Sequence, residues 1–377
     1  MDIFCLQENL RRGLSLVSHA VSARSTLPAL TTVLMETDRG RLKLAATDLS
    51  LGITCWIGCQ IRQEGGIAVP ARLLSDFVNS LPNEPVHLEL DPRTRTLHLQ
   101  CLRYEADIKG IDPMEFPTIP TLEEAEPLAE VSPALLREAI AQVVFAAAIE
   151  DTRPAMTGVL TRIRGSLVTL VAADGYRLAC RSFDLERPAR ADLNVIVPAK
   201  AMNELGRCLA DQEEPVQIVL PPGQNQILFH TDQIDLVSNL IEARFPDYEA
   251  IIPKSYTTRA IVSTAEFQKA VRIASFFARD GANIIRLELL AGEAAGRMLV
   301  SASASEIGSN VSEVDTLIDG EGTRIAFNAR YLQEALSALN TSEVALEFQG
   351  PDRPGVFKPV GRTDQVHVIM PMQLERW

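Results

Sequence analysis

The chain has 377 residues, 46% of them apolar, and a formal net charge of −13 at pH 7. That length suits two or three domains of ordinary size, and the acidic balance excludes a broadly basic surface, so any contact with nucleic acid has to be local. No apolar run approaches the roughly 18 residues that cross a bilayer, and the opening MDIFCLQENLRR lacks a secretory layout; the expectation is a soluble, cytoplasmic protein without a membrane partner.

In chain order, the same set of elements is met three times. Each third opens with a helix: Leu6–Ala23, then SPALLREAIAQVVFAAA from Ser132, then FQKAVRIASFFA behind a capping box at Ser263 and Glu266. A pair of strands follows in each case, VLMETDRGRLKLAATD, VLTRIRGSLVTLVAAD and RLELLAGEAAGRMLVSAS. Next comes a short apolar strand that runs into a helix of about ten residues: IAVPARLLSDFVNSL at 67–81, VIVPAKAMNELGRCL at 195–209 and IAFNARYLQEALSAL at 325–339. Superposed, these helices share one apolar stripe, at Leu73/Ala201/Tyr331, Leu74/Met202/Leu332, Phe77/Leu205/Ala335, Val78/Gly206/Leu336 and Leu81/Leu209/Leu339. Further strands, EPVHLEL, EPVQIVL and SEVALEF, come after them.

A repeat of roughly 125–130 residues is too long for a solenoid and signifies homologous domains. The predicted fold class is α+β, with two helices on antiparallel sheets in each of three domains, 1–120, 129–252 and 253–377. A link rich in Glu and Pro between Thr121 and Pro127, with Glu123 and Glu124, and a shorter one at Pro253–Thr258 separate them. The acid is concentrated in the middle: residues 121–252 carry 11 basic and 20 acidic side chains, against 12 and 14 before them and 13 and 15 after.

Catalysis has little footing. The six cysteines are scattered through apolar segments, and Cys55 and Cys59 in LGITCWIGCQI alternate as strand residues rather than as metal ligands. The five histidines stand apart from one another. There is no phosphate-binding glycine loop, GxSxG or HExxH sequence. The chain is read as a non-enzyme with no cofactor and no metal.

Three such repeats, with ATDLSL and AADGYRLA after the strand pairs, RFPDY in the second third and VIMPM near the end, resemble the bacterial DNA polymerase III beta subunit, the replication sliding clamp. The resemblance covers essentially the whole chain. It implies a head-to-tail homodimer whose six domains close a ring around duplex DNA, with helices lining the hole and sheets outside. It also implies that the ring tethers the replicative polymerase for processivity, and that the polymerase subunit, the clamp loader and DNA repair proteins bind through short peptide motifs.

One basic side chain recurs in the first turn of the repeated helix, at Arg72, Lys200 and Arg330. A cation there opposes the helix macrodipole, so something else has to hold it. Two readings stand: a phosphate-facing position, or an ordinary pair with Asp76, Glu204 or Glu334 four residues on. Arg137, Lys269 and Arg272, together with Arg11, Arg12 and Arg279, are further candidates for DNA contact on or after the opening helices. The resemblance adds Arg24, which matches a family arginine in the loop after the first helix. In the central domain, FAAAIEDTRPAM departs from the family pattern at Glu150, Pro154 and Ala155.

The resemblance places an apolar groove for partner peptides between the second and third domains, at Met156, Asp174, Gly175, Tyr176, Arg177, Leu178, Pro246, Ile251, Val368, Met370, Pro371 and Met372. Methionines suit an adaptable apolar surface, Gly175 suits a tight turn, and Arg177 can meet a polar end of the ligand; taken alone, Met370 and Met372 read sooner as core packing, and their convergence with the DGYRL turn favours the groove. Phe276 and Phe277 match family positions at the dimer contact. Adjacent phenylalanines cannot both lie on one stripe, which leaves an interface or a local core corner.

Overall fold

A computed structural model describes residues 1–22, 25–122, 126–150, 152–221, 223, 225–279, 282–292, 296–306 and 308–374. Its helices are α1 (Gln7–Ser18), α2 (Ala71–Ser80), α3 (Pro133–Val143), α4 (Ala199–Cys208), α5 (Tyr248–Ile251), α6 (Thr264–Ala278) and α7 (Ala329–Ser337). Each third opens not with a helix but with a short strand, Asp2–Leu6, Ala129–Val131 or Thr258–Ser263, which leads into α1, α3 or α6, and each repeats a strand-to-helix step at α2, α4 and α7. Proline at the start of α3 costs nothing, because the first amides of a helix have no internal acceptor. The hydroxyl of Ser263 caps α6 by accepting from the Glu266 amide at 3.4 Å. Residues Ala23 and Arg24 lie outside the described residues, as do Glu123 and Glu124.

The shared stripe is mostly buried as its spacing requires. Leu74 and Val78 in α2, Ala201, Met202 and Leu205 in α4, and Leu332, Ala335 and Leu336 in α7 are buried. Leu73 is the exception, with 54% of its surface exposed. One residue along a helix is a rotation of about 100°, which carries Leu73 out of the sector that Leu74 and Val78 occupy.

The chain falls into two compact units, one of residues 1–137, 186–191 and 203–240, the other of residues 138–185, 192–202 and 241–377. The first holds two antiparallel sheets. Five strands run in the order Gln60–Gln63, Asp2–Leu6, Pro85–Asp91, Thr96–Cys101 and Tyr104–Lys109; eight form the other sheet, in which Ile234–Asn239 pairs with Leu51–Gly58. The second unit holds a twelve-stranded sheet in which Arg177–Asp184 pairs with Gln365–Ile369, Arg177 opposite Ile369 and Leu178 opposite Val368. Strand pairing thus runs across the thirds. A large core, centred on Phe267, Phe327 and Phe357, lies under α6 and α7. A smaller one gathers Leu160, Val171, Leu178, Ile196, Tyr248 and Val368.

Candidate binding sites

The groove residues assemble around that smaller core. Leu178 and Val368 are buried in it, while Tyr176, Ile251 and Met370, close to Leu178, Ile252 and Val368 in the chain, have 65%, 42% and 41% of their surfaces exposed. Met156, Pro246, Pro371 and Met372 are half-buried.

The turn that carries Tyr176 is built by Asp174 and Gly175. Oδ1 of Asp174 accepts from the amides of Tyr176 at 2.8 Å and Arg177 at 3.0 Å. Gly175 sits at φ +93°, a backbone conformation that favours glycine, and a Cβ there would meet only the movable end of the Arg153 side chain. The turn is then tied to the chain end, because the carbonyl of Tyr176 accepts from the Met370 amide at 2.8 Å. Two residues on, the Met372 amide donates to the Ala326 carbonyl at 2.7 Å.

Arg177 does not present a free end to a ligand. Its side chain is only 5% exposed. Nε donates to Oδ2 of Asp174 at 3.0 Å, and Nη1 and Nη2 donate to Glu334 and to the Phe145 carbonyl. The Tyr331 ring stacks on the guanidinium at 4.4 Å. α5 is held by Arg162, which donates to the Tyr248 hydroxyl and, at 2.8 Å, to Glu249. Burial pushes the Tyr248 hydroxyl up to about 12, so it stays a neutral donor. Phe145 and Arg162 escaped the sequence reading because their partners are remote in the chain, and the links of Tyr248 in RFPDY and Tyr331 on the repeated stripe to these arginines are equally non-local.

The basic candidates are exposed on helices. Arg72 is almost fully exposed and lies 3.8 Å from Asp76; Nε of Arg330 donates to Glu334 at 2.9 Å. Pairing within the helix is therefore realised at both. Glu204, by contrast, accepts from Arg207 at 2.9 Å and lies 3.5 Å from His19. Exposed pairs of this kind are worth about 0–1 kcal/mol, so a phosphate can take such an arginine at little cost. Lys200, Arg137, Lys269 and Arg272 are all exposed. In the first unit, Arg11, Arg12, Ser15, Asn79 and Arg207 line a groove of about 650 Å³. In the second, Gln268, Lys269, Arg272, Gln333 and Ser337 line one of about 510 Å³ between α6 and α7. Arg24 lies outside the described residues.

Phe277 packs against the core under α6, and Phe276 is 52% exposed with the Arg279 guanidinium 5.9 Å from its ring centre. Nothing in these regions resembles catalytic machinery. Burial pushes the thiols of Cys5, Cys55 and Cys208 up to about 12, which makes them poor nucleophiles. Among the described residues no His, Cys, Asp and Glu group could hold a metal ion, and no helix is long and apolar enough to cross a membrane.

Comparison with known proteins gives matches to three family models in chain order: the N-terminal domain of the DNA polymerase III beta subunit at residues 1–120, its central domain at 130–247 and its C-terminal domain at 249–373. The chain belongs to the beta sliding clamps, the beta subunits of DNA polymerase III. A Synechocystis beta sliding clamp is 32% identical, with 99% of this chain and 100% of the relative covered; one from Staphylococcus aureus is 31% identical, with 94% of each covered. The crystal structure of the Bacillus subtilis DNA polymerase sliding clamp superposes with a TM-score of 0.91 at 29% identity over 99% of both chains. A Pseudomonas aeruginosa sliding clamp, solved bound to griselimycin, gives 0.90 at 29% identity over 99% of this chain and 100% of that one. The fold is thus that of three α+β clamp domains with antiparallel sheets, and the family is a non-catalytic processivity factor.

Proposed function

We propose that two copies of this chain, joined head to tail, close a ring around duplex DNA in the cytoplasm and tether the replicative polymerase to its template. The domains are 1–120, 129–252 and 253–377. Arg72, Lys200 and Arg330 on the repeated helices, with Arg24, Arg137, Lys269 and Arg272, face the DNA backbone. The observation that carries this reading is the in-order match to all three beta-subunit domains over nearly the whole chain. It agrees with the chemistry: a ring needs no tight site, because topology retains it while weak phosphate contacts let it slide. The net charge of −13 leaves only local cations for the duplex and disfavours binding elsewhere.

The groove around Tyr176, Ile251 and Met370 takes peptide motifs of the polymerase subunit, the clamp loader and DNA repair proteins. Its support is the exposed apolar side chains close in the chain to that buried core, with Tyr176 set on a turn that side-chain hydrogen bonds hold rigid. The test of the ring is topological. Loaded by the organism's clamp loader onto nicked circular DNA, the protein is expected to stay through gel filtration and to run off once the circle is cut. Retention on the linear product, or failure to remain on the intact circle, overturns the ring and leaves a peptide-binding scaffold.

A further inference from the structure

The peptide turn and the repeated helix α7 are joined by a run of alternating charges. Nε of Arg330 donates to Oε1 of Glu334 at 2.9 Å, and Oε2 of the same carboxylate takes Nη1 of Arg177. Arg177 in turn holds Oδ2 of Asp174 at 3.0 Å, whose other oxygen receives the amides that shape the turn under Tyr176. Both ends are fixed. Asn328 caps α7 by accepting from the amides of Arg330 at 3.0 Å and Tyr331 at 3.3 Å, and the Met370 amide holds the Tyr176 carbonyl. Arg177 is buried and Glu334 is 29% exposed at its side chain, whereas Arg330 is 61% exposed. The run therefore leads from water at Arg330 to the interior at Arg177. The hydrogen bond that Arg330 donates to Glu334 holds its guanidinium above its ordinary range, a sign that the two charges are coupled.

We propose that Glu334 is a positioning residue for the peptide groove, and that through it the groove senses whether Arg330 is engaged by DNA. This rests on the groove and DNA-facing readings above. Glu334 touches no ligand itself; it holds Arg177, and Arg177 holds the turn. A phosphate that draws Arg330 away leaves the carboxylate to Arg177 alone and relieves the repulsion between the two guanidinium groups. The turn is then held more firmly, and peptide binding tightens. By linkage, a bound peptide favours DNA at Arg330 by the same factor.

The experiment measures the affinity of a fluorescein-labelled peptide, copied from the C-terminal tail of the organism's polymerase subunit, for the free protein and for the protein loaded on a nicked circle. For the wild type, loading is expected to tighten binding about two- to threefold, the scale of a single partly screened charge. Glu334→Gln keeps the shape but loses the charge, and is expected to weaken peptide binding about tenfold and to abolish the response to DNA. Arg330→Ala should bind the peptide about two- to threefold more tightly than the wild type without DNA. Hydrogen exchange at the Tyr176 and Arg177 amides gives a local readout, faster in Glu334→Gln, that a general loss of stability would not confine to this turn. Peptide affinity of Glu334→Gln within twofold of the wild type, or an undiminished response to DNA, overturns the inference and leaves the groove intact. A wild type that does not bind the peptide at all overturns the groove, and this inference with it.

Discussion

His367 is a residue whose chemistry becomes visible only in the folded chain. It is buried on the strand Gln365–Ile369, and the Gln365 amide, which also donates to the Ala338 carbonyl at 2.9 Å, donates to its Nε2 at 2.9 Å. The ring proton then sits on Nδ1, which has no hydrogen-bond partner among the described residues. Burial pushes the imidazole down to about 3. In the unfolded chain it titrates near 6.5, so between about pH 6.5 and pH 3 the unfolded state binds the extra proton and stability falls as the pH falls. From pH 7 to pH 5 this one group removes about 2 kcal/mol. His367→Gln, which keeps an acceptor for Gln365, should lose about that much less over the same interval in urea unfolding. Parallel losses in the two proteins would show that the imidazole is not held neutral. Nothing in HVIMPM distinguishes this histidine from a solvated one. The same holds for Arg177: DGYRL marks the turn that carries it, but its burial depends on Glu334 and Phe145, which no spacing connects to it.

At the scale of elements, the strand-to-helix repeat was legible because periodicity and chain order are local properties. The three helix starts are nevertheless not equivalent. Pro70 precedes α2 and offers no side-chain acceptor, whereas Asn328 receives two amides at the start of α7. Asn328→Ala should therefore destabilise the protein by about 1 kcal/mol, and Asn328→Asp by far less, as read from urea midpoints. Equal losses would mean that packing against α6, not the cap, sets the start of α7. What the sequence could not convey is which strands meet. Apolar alternation tells which face of Arg177–Asp184 is buried but not that its neighbour is Gln365–Ile369, since every strand offers the same backbone donors and acceptors. The sheets consequently cross the boundaries that the repeat suggested, and the twelve-stranded sheet takes strands from the middle and last thirds.

At the scale of the whole molecule, the ring reading demands a second copy, and the two adjacent phenylalanines at the end of α6 allow its interface to be separated from the core. Phe277 packs on the core beneath α6, so Phe277→Ala should cost some fraction of the roughly 3–5 kcal/mol that a fully buried phenylalanine is worth. Phe276 is half exposed in the single chain, and Phe276→Ala therefore removes apolar surface that only a partner could cover. The expectation is a clean division: Phe276→Ala keeps the wild-type unfolding midpoint but sediments as a monomer at concentrations where the wild type is a dimer, by at least about a tenfold rise in the dissociation constant. Phe277→Ala should unfold more easily and, while folded, associate more nearly as the wild type does. A Phe276→Ala protein that remains dimeric down to the wild-type dissociation limit would place the interface elsewhere on the chain.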